Sequence, residues 1–330
     1  MTAPDSTYVS TGKLPQPELV QSLVNEAYER HRSNREGANS NVYPALTRVD
    51  PDLFGVCVVA NDGHVYAAGD ADHEFSIMSV SKPFVFALVC DNLGPSAARE
   101  RLGVNSTGLP FNSLTAIERA GDGRTNPMVN AGAIATTSLI PGQSAESKWT
   151  FIHRGFSAFA GRELSLNVEV YESASRTNQR NESIARLLQS YGRLAGDPLD
   201  ALDLYTRQCS LNVTAKDLAV MGATLADAGV NPFSEARVVA ADSCRRTLAV
   251  MATAGLYETS GDWLYDVGSP GKSGIGGGIV TVAPGKGGLG TFAPRLDAAG
   301  NSVRGQLAAA ELSHSLGLDV FVSQPESRPR

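Results

Sequence analysis

The sequence predicts an α/β fold in which one sheet is packed by helices and carries a helical insertion. Three observations predict it: a hairpin signal early in the folded part, a second pair of strand signals near the end, and helical periodicity between them. The chain has 330 residues, 42% of them hydrophobic. That length and composition suffice for a sizeable core in one large unit.

Residues 1–15 are small, polar and Pro-containing and read as a flexible arm; the stretch SQPESRPR at 323–330 reads as a tail. The folded unit is expected over 16–322, with sheet parts at about 16–90 and 210–322 and a helical subdomain at about 90–210.

Leu19, Val20, Leu23, Val24 and Ala27 recur at helical spacing and predict a helix over 18–32. Strands follow over 54–60 and 64–68, joined at Asn61-Asp62-Gly63, where Asp-Gly supplies the positive backbone angle of a tight turn. After Ser76 the pattern switches to a long apolar helix over 80–90, stopped at Gly94. Further helices are predicted over 130–139, 183–192, 215–228 and 237–254. Strands return over 278–283 and 288–293, around Pro284-Gly285-Lys286-Gly287, before a last helix over 303–316.

Lys plus Arg number 28 and Asp plus Glu 34, a net charge of −6 without long runs of either sign. This argues against nucleic-acid and membrane partners. Cys57, Cys90, Cys209 and Cys244 are far apart and form no C-x-x-C pair, as expected for free thiols in a reducing cytosol. No run reaches the roughly 20 apolar residues of a membrane span, and the N-terminal stretch lacks the basic and apolar regions of a signal peptide, so a cytoplasmic protein is expected. His31, His64, His73, His153 and His314 are scattered without ligand spacing, which predicts neither metal nor cofactor.

Chemistry concentrates at Ser79-Val80-Ser81-Lys82. Residues three apart share a helix face, so hydroxyl and amine can meet. A serine needs a base to act as a nucleophile, and a lysine serves once burial lowers its pKa; Met78, Phe84, Val85 and Phe86 offer that burial. At a helix start the Ser79 N–H is also an unpaired donor for an oxyanion. S-x-x-K alone is common by chance, and Ser269-Pro270-Gly271-Lys272 matches it within a turn. That second match yields Lys272-Ser273-Gly274 ahead of the strand at 278, the K-[ST]-G element that β-lactamase-like serine enzymes pair with S-x-x-K. Ile275 would then supply a second N–H for the oxyanion. The S-D-N or Y-x-N element of the β-lactam enzymes is absent.

The nine-residue word Asn126-Pro-Met-Val-Asn-Ala-Gly-Ala-Ile134, taken with FSIMSVSKPF, Arg180-Asn181, Leu204-Tyr205, Gly255-Leu-Tyr257 and KSGIGGGI, resembles the serine-dependent glutaminase family in order and spacing over most of the chain. The resemblance implies a β-lactamase/transpeptidase-like architecture, an antiparallel sheet packed by helices with a helical subdomain. It implies an amidohydrolase that converts L-glutamine to L-glutamate and ammonia, without a cofactor, as a homodimer or homotetramer. Carried over by position, Ser79 is the nucleophile, Lys82 its base and Tyr257 a proton-relaying hydroxyl. Asn130, Asn181, Tyr205 and Tyr257 contact substrate beside Ser79, and Ile275 does so through its backbone.

The match breaks at three pocket positions. Ala174 stands where the family has an ammonium-binding glutamate, Val42 where it has the tyrosine of D-Y-I-P, and Met78 where a glutamine precedes the nucleophile. Losing the carboxylate should cost about 1.5–3 kcal/mol of substrate binding unless another group replaces it; Glu169 and Glu172 are the nearby acids. Two alternatives therefore stand beside glutamine hydrolysis: an amidase for a γ-glutamyl conjugate or other small amide, and a non-catalytic binding protein on the same fold. Intact Ser79, Lys82 and Tyr257 argue against the second.

Overall fold

The computed structural model describes residues 12–323; of the expected arm and tail, residues 1–11 and 324–330 lie outside them. The chain opens with α1 (Pro17–His31), β1 (Gly55–Ala60), β2 (Val65–Gly69) and β3 (Phe75–Ser76), followed by a 3₁₀ turn at Met78–Val80. Eight helices come next: α2 (Ser81–Leu93), α3 (Pro95–Leu102), α4 (Thr115–Arg119), α5 (Asn130–Ser138), α6 (Ala145–Ala160), α7 (Val168–Arg176), α8 (Gln179–Ser190) and α9 (Pro198–Cys209). The chain closes with β4 (Asn212–Val213), α10 (Ala215–Ala226), α11 (Ala241–Ala254), α12 (Ser260–Val267), β5 (Gly271–Ser273), β6 (Gly278–Ala283), β7 (Gly287–Phe292) and α13 (Val303–Leu316).

The main sheet runs β2-β1-β7-β6-β5 with every pairing antiparallel. It brings the early hairpin and the late strands together, as the sequence predicts. Gly63 sits at φ +87 in the β1–β2 turn, a conformation glycine adopts without a Cβ penalty.

Strand side chains alternate faces, and both faces are buried. From β1, Val56, Val58 and Ala60 join one core while Cys57 and Val59 join the other. The first core is closed by α1, α12 and α13, with Val20, Val24, Trp263, Ala308 and Leu312 within it. The second, larger core lies under α10 and the helices between β3 and β4. Burial on both faces explains why β1 and β6 read as continuous apolar runs. Helix α10 lies almost on the strands: a Cβ added to Gly290 would come within 2.0 Å of Ala215 O, and one on Gly288 within 2.1 Å of Ala219 O.

Three predicted boundaries move for local reasons. The helix expected from 237 begins at Ala241, because the stretch before it bridges Val230 to Arg237 and Val238 N–H donates to Gly229 O. The helix expected from 183 begins at Gln179, and the apolar helix of the Ser-Lys motif starts only after the 3₁₀ turn. Lys272-Ser273 forms its own short strand, β5, paired with β6 rather than leading straight into it. No helix among the described residues is long and apolar enough to cross a membrane, and all four cysteines are free and buried.

Candidate active site

Ser79 is presented by a tightly held piece of chain. Strand β3 pairs with β4, Ser76 Oγ donates to Cys209 O at 2.8 Å, and Ile77 N–H donates to Leu211 O at 2.9 Å. The backbone then turns at Met78 with φ +45. Tyr257 has φ +57. Such left-handed conformations cost non-glycine residues of order 1–3 kcal/mol and persist where surrounding packing enforces them. Met78 adjoins Ser79 in the chain, and the Tyr257 phenol lies within reach of the Ser79 hydroxyl, which draws its pKa down against the larger effect of burial. The same phenol also donates to Ser273 O at 3.4 Å.

Lys82 lies on the first turn of α2, a helix apolar around its circumference and therefore buried. Its side chain is 0% exposed, and burial lowers its pKa to about 7, opposed in part by the Cys209 thiol. The amine donates to Asn130 Oδ1 at 2.7 Å and to Met128 O at 3.4 Å, and it makes no hydrogen bond to Ser79 in this resting geometry. A second buried amine, Lys272, donates to Gly255 O and Ser273 O, both at 2.7 Å, and stands 4.3 Å from the Tyr257 ring centre. Burial, and then the charge of Lys82, hold its pKa well below the usual lysine value.

The cleft beside Ser79 encloses about 630 Å³ including its mouth, and Asn130, Asn181, Tyr205 and Ile275 all line it. Lys82 and Tyr257 are buried and do not line it. The K-S-G segment closes one wall: a Cβ on Gly274 would stand 3.1 Å from Ser79 N, and one on Gly276 would stand 2.4 Å from Ser76 O. At Gly276 only glycine permits that approach, and at Gly274 a side chain would be a tight fit. Neither the Ser79 N–H nor the Ile275 N–H donates to any hydrogen bond among the described residues. A larger, more open depression lined by Arg99, Arg119 and Arg124 contains none of these groups.

The asparagines are organised chiefly by one another. Asn130 Oδ1 also accepts from Tyr205 OH at 3.2 Å, Asn130 Nδ2 donates to Asn181 Oδ1 at 2.9 Å, and Asn181 Nδ2 donates to Asn178 Oδ1 at 2.7 Å. The chain ends where Asn178 Nδ2 donates to Thr206 Oγ1 at 2.9 Å. Lys82 is thus the end of a relay of side chains drawn from α2, α5, α8 and α9.

Several wall residues escaped the sequence reasoning, Tyr43, Phe111, Asn178, Arg180 and Cys209 among them. Tyr43 lines the cleft beside Asn181, so the phenol missing at position 42 returns one residue later; its place before Pro44 is the available signal. Phe111 packs on Tyr257 with ring centres 4.8 Å apart. Arg180 and Cys209 also line the cleft. Ala174, Val42 and Met78 all line the cleft, as their places in the sequence imply. The two acids proposed to compensate for Ala174 do not enter it: Glu169 pairs with Arg48 and Glu172 with Arg176 on the surface, the glutamates being 68% and 57% exposed.

Comparison with known proteins points to one family. The family model described as Glutaminase matches residues 37–321. Glutaminase 2 of Yersinia pestis is 69% identical over 318 residues, covering 96% of this chain and 94% of that protein. Glutaminase of Colwellia psychrerythraea is 47% identical, covering 94% of this chain and 99% of its own. A solved structure described as probable glutaminase ybaS superposes with a TM-score of 0.92 at 45% identity, covering 94% of this chain and all of the other. The structure of Mglu in its glutamate form gives 0.88 at 36% identity, over 94% of this chain and 71% of that one. The match to the family model over most of the chain, and relatives this similar over nearly all of it, place the chain in the glutaminase family.

Proposed function

We infer that this protein hydrolyses L-glutamine to L-glutamate and ammonia through a covalent ester on Ser79. The observation that carries the chemistry is the buried Lys82 amine, about half of it uncharged near pH 7, one helical turn from a serine that opens onto a cleft.

In this reading the neutral Lys82 amine takes the Ser79 proton as Oγ attacks the side-chain amide carbon. The Ser79 and Ile275 N–H groups receive the developing oxyanion. Tyr257, whose phenol burial pushes up to about 12, is protonated at neutral pH; it gives its proton to the departing nitrogen and regains one from the Lys82 ammonium, which leaves Lys82 neutral again. The C–N bond breaks, ammonia leaves and an acyl ester remains. Water then attacks that ester with Lys82 again as base, releasing glutamate and restoring the serine. Apo geometry with Lys82 turned to Asn130 is compatible with this role, since catalytic hydrogen bonds commonly tighten only with substrate bound. Asn130, Asn181 and Tyr205 shape the wall against which substrate rests.

The same reading includes a cytoplasmic homodimer or homotetramer, which sedimentation of the purified protein tests. The decisive assay is ammonia release from L-glutamine by the wild type and by Ser79→Ala. Turnover is expected in the first and a loss of at least 10³-fold in the second, a rough figure for removing a covalent nucleophile. Equal rates in the two proteins would remove Ser79 from the mechanism.

A further inference from the structure

We propose that Asn112 receives the α-ammonium of L-glutamine on its uncharged side-chain oxygen, beside an α-carboxylate held by Arg180. This rests on the glutaminase reading and names the residues that recognise the amino-acid end of the substrate.

Free glutamine carries an ammonium and a carboxylate on one carbon, and the cleft offers an opposite charge to only one of them. Among the described residues lining it there is one arginine, Arg180, and no Asp or Glu. Glu169 and Glu172 are held outside by Arg48 and Arg176. The carboxylate therefore suits the guanidinium. The ammonium, which has three donors, must be met by uncharged oxygens. Dipoles can serve here because the carboxylate on the same carbon balances the ammonium at close range, so the pair enters without net charge.

Of the asparagines lining the cleft, Asn112 has the most acceptor capacity to spare. Asn130 Oδ1 already accepts from Lys82 and from Tyr205, which occupies both its lone pairs. Asn181 Oδ1 and Asn178 Oδ1 each accept one side-chain hydrogen bond and keep one lone pair. The side-chain amide of Asn112 lines the cleft and makes no hydrogen bond among the described residues, so its oxygen can turn to a donor without breaking one. Only that side chain is free. Phe111 O accepts from Asn130 N–H at 2.8 Å, and Asn112 O accepts from Arg180 Nε at 2.9 Å. Residue 112 is thereby fixed against the starts of α5 and α8, next to the guanidinium that its own carbonyl anchors. Adjacent partners are what two charged substituents of one carbon require.

The test measures kcat and KM for L-glutamine with the wild type, Asn112→Leu and Asn112→Ala, and the inhibition of each by 4-carbamoylbutanoate. That compound is glutamine with hydrogen in place of the ammonium, so it needs Arg180 but not Asn112. Asn112→Leu is expected to raise KM for L-glutamine by about tenfold to a hundredfold, the worth of one hydrogen bond to a charged group, with kcat little changed. The inhibition constant of 4-carbamoylbutanoate is expected to stay as in the wild type. A merely structural role for Asn112 would lower kcat or weaken both ligands together; either result overturns the proposal, as does an unchanged KM. These outcomes leave the glutaminase reading standing, whereas absence of Ser79-dependent ammonia release by the wild type overturns that reading and this proposal with it. Should Asn112→Leu not fold, Asn112→Ala decides by the same criteria.

Discussion

The protonation of a single amine governs the rate law to be expected. Lys82 acts as a base only when neutral, and burial brings its pKa to about 7. The ratio kcat/KM should therefore climb as pH rises through about 7 and level off above it, and a profile flat from pH 6 to 8 would exclude Lys82 as the base. Tyr257→Phe keeps the ring packed on Phe111 while removing the hydroxyl beside Ser79. It should lower kcat by roughly 10²–10⁴-fold, the usual range for a positioned proton donor, with folding unchanged by circular dichroism. At this scale much was legible beforehand. Ser79, Asn130, Asn181, Tyr205 and Ile275 converge on one cleft, while Lys82 and Tyr257 are buried outside its lining. Tyr43 and Arg180 were not singled out because their contribution depends on which wall they reach, a property of tertiary packing that sequence spacing does not encode.

Elements with strong periodicity or turn chemistry were readable: the β1–β2 hairpin, α10, β6, β7 and α13 all lie within a residue or two of their expected positions. Strands β3, β4 and β5 have only two or three residues, too few for an alternation to register. Helices α6 and α9 carried a signal that was passed over. Ser144 caps α6 in a reciprocal box with Ser147, ahead of Ile152, Phe156 and Phe159, and Asp197 caps α9 just before Pro198. The α10–β7 contact makes its own prediction. Gly290→Ala would set a methyl 2.0 Å from Ala215 O, so it should destabilise the protein by about 1–3 kcal/mol or more through overpacking. Urea denaturation measures this, and an unchanged midpoint would mean that helix and strand are not in that contact.

For the molecule as a whole, buried ionisable groups set how stability responds to pH. Lys82 and Lys272 titrate in the folded state below their ordinary value of 10.5. Between about pH 7 and 10.5 the unfolded chain therefore binds more protons, and stability rises with pH. The thiols of Cys57, Cys90 and Cys244 work in the opposite sense: burial pushes them from 9.0 to about 12, so their contribution is lost as pH rises above 9. The urea midpoint should increase from pH 7 to about 9 and decline above about 10; a steady fall from pH 7 upwards would contradict the burial of the two lysines. The small β3–β4 ladder has a further consequence at this scale. It fastens the departure and return of the long helical excursion at one spot, directly ahead of Ser79. An excursion with fastened ends is a closed handle, and lengthening such a handle is cheap, each doubling of a flexible loop costing only about 0.6 kcal/mol. Lineages are therefore free to lengthen, trim or reshape the handle's outer turns while the serine stays registered against the glycine wall.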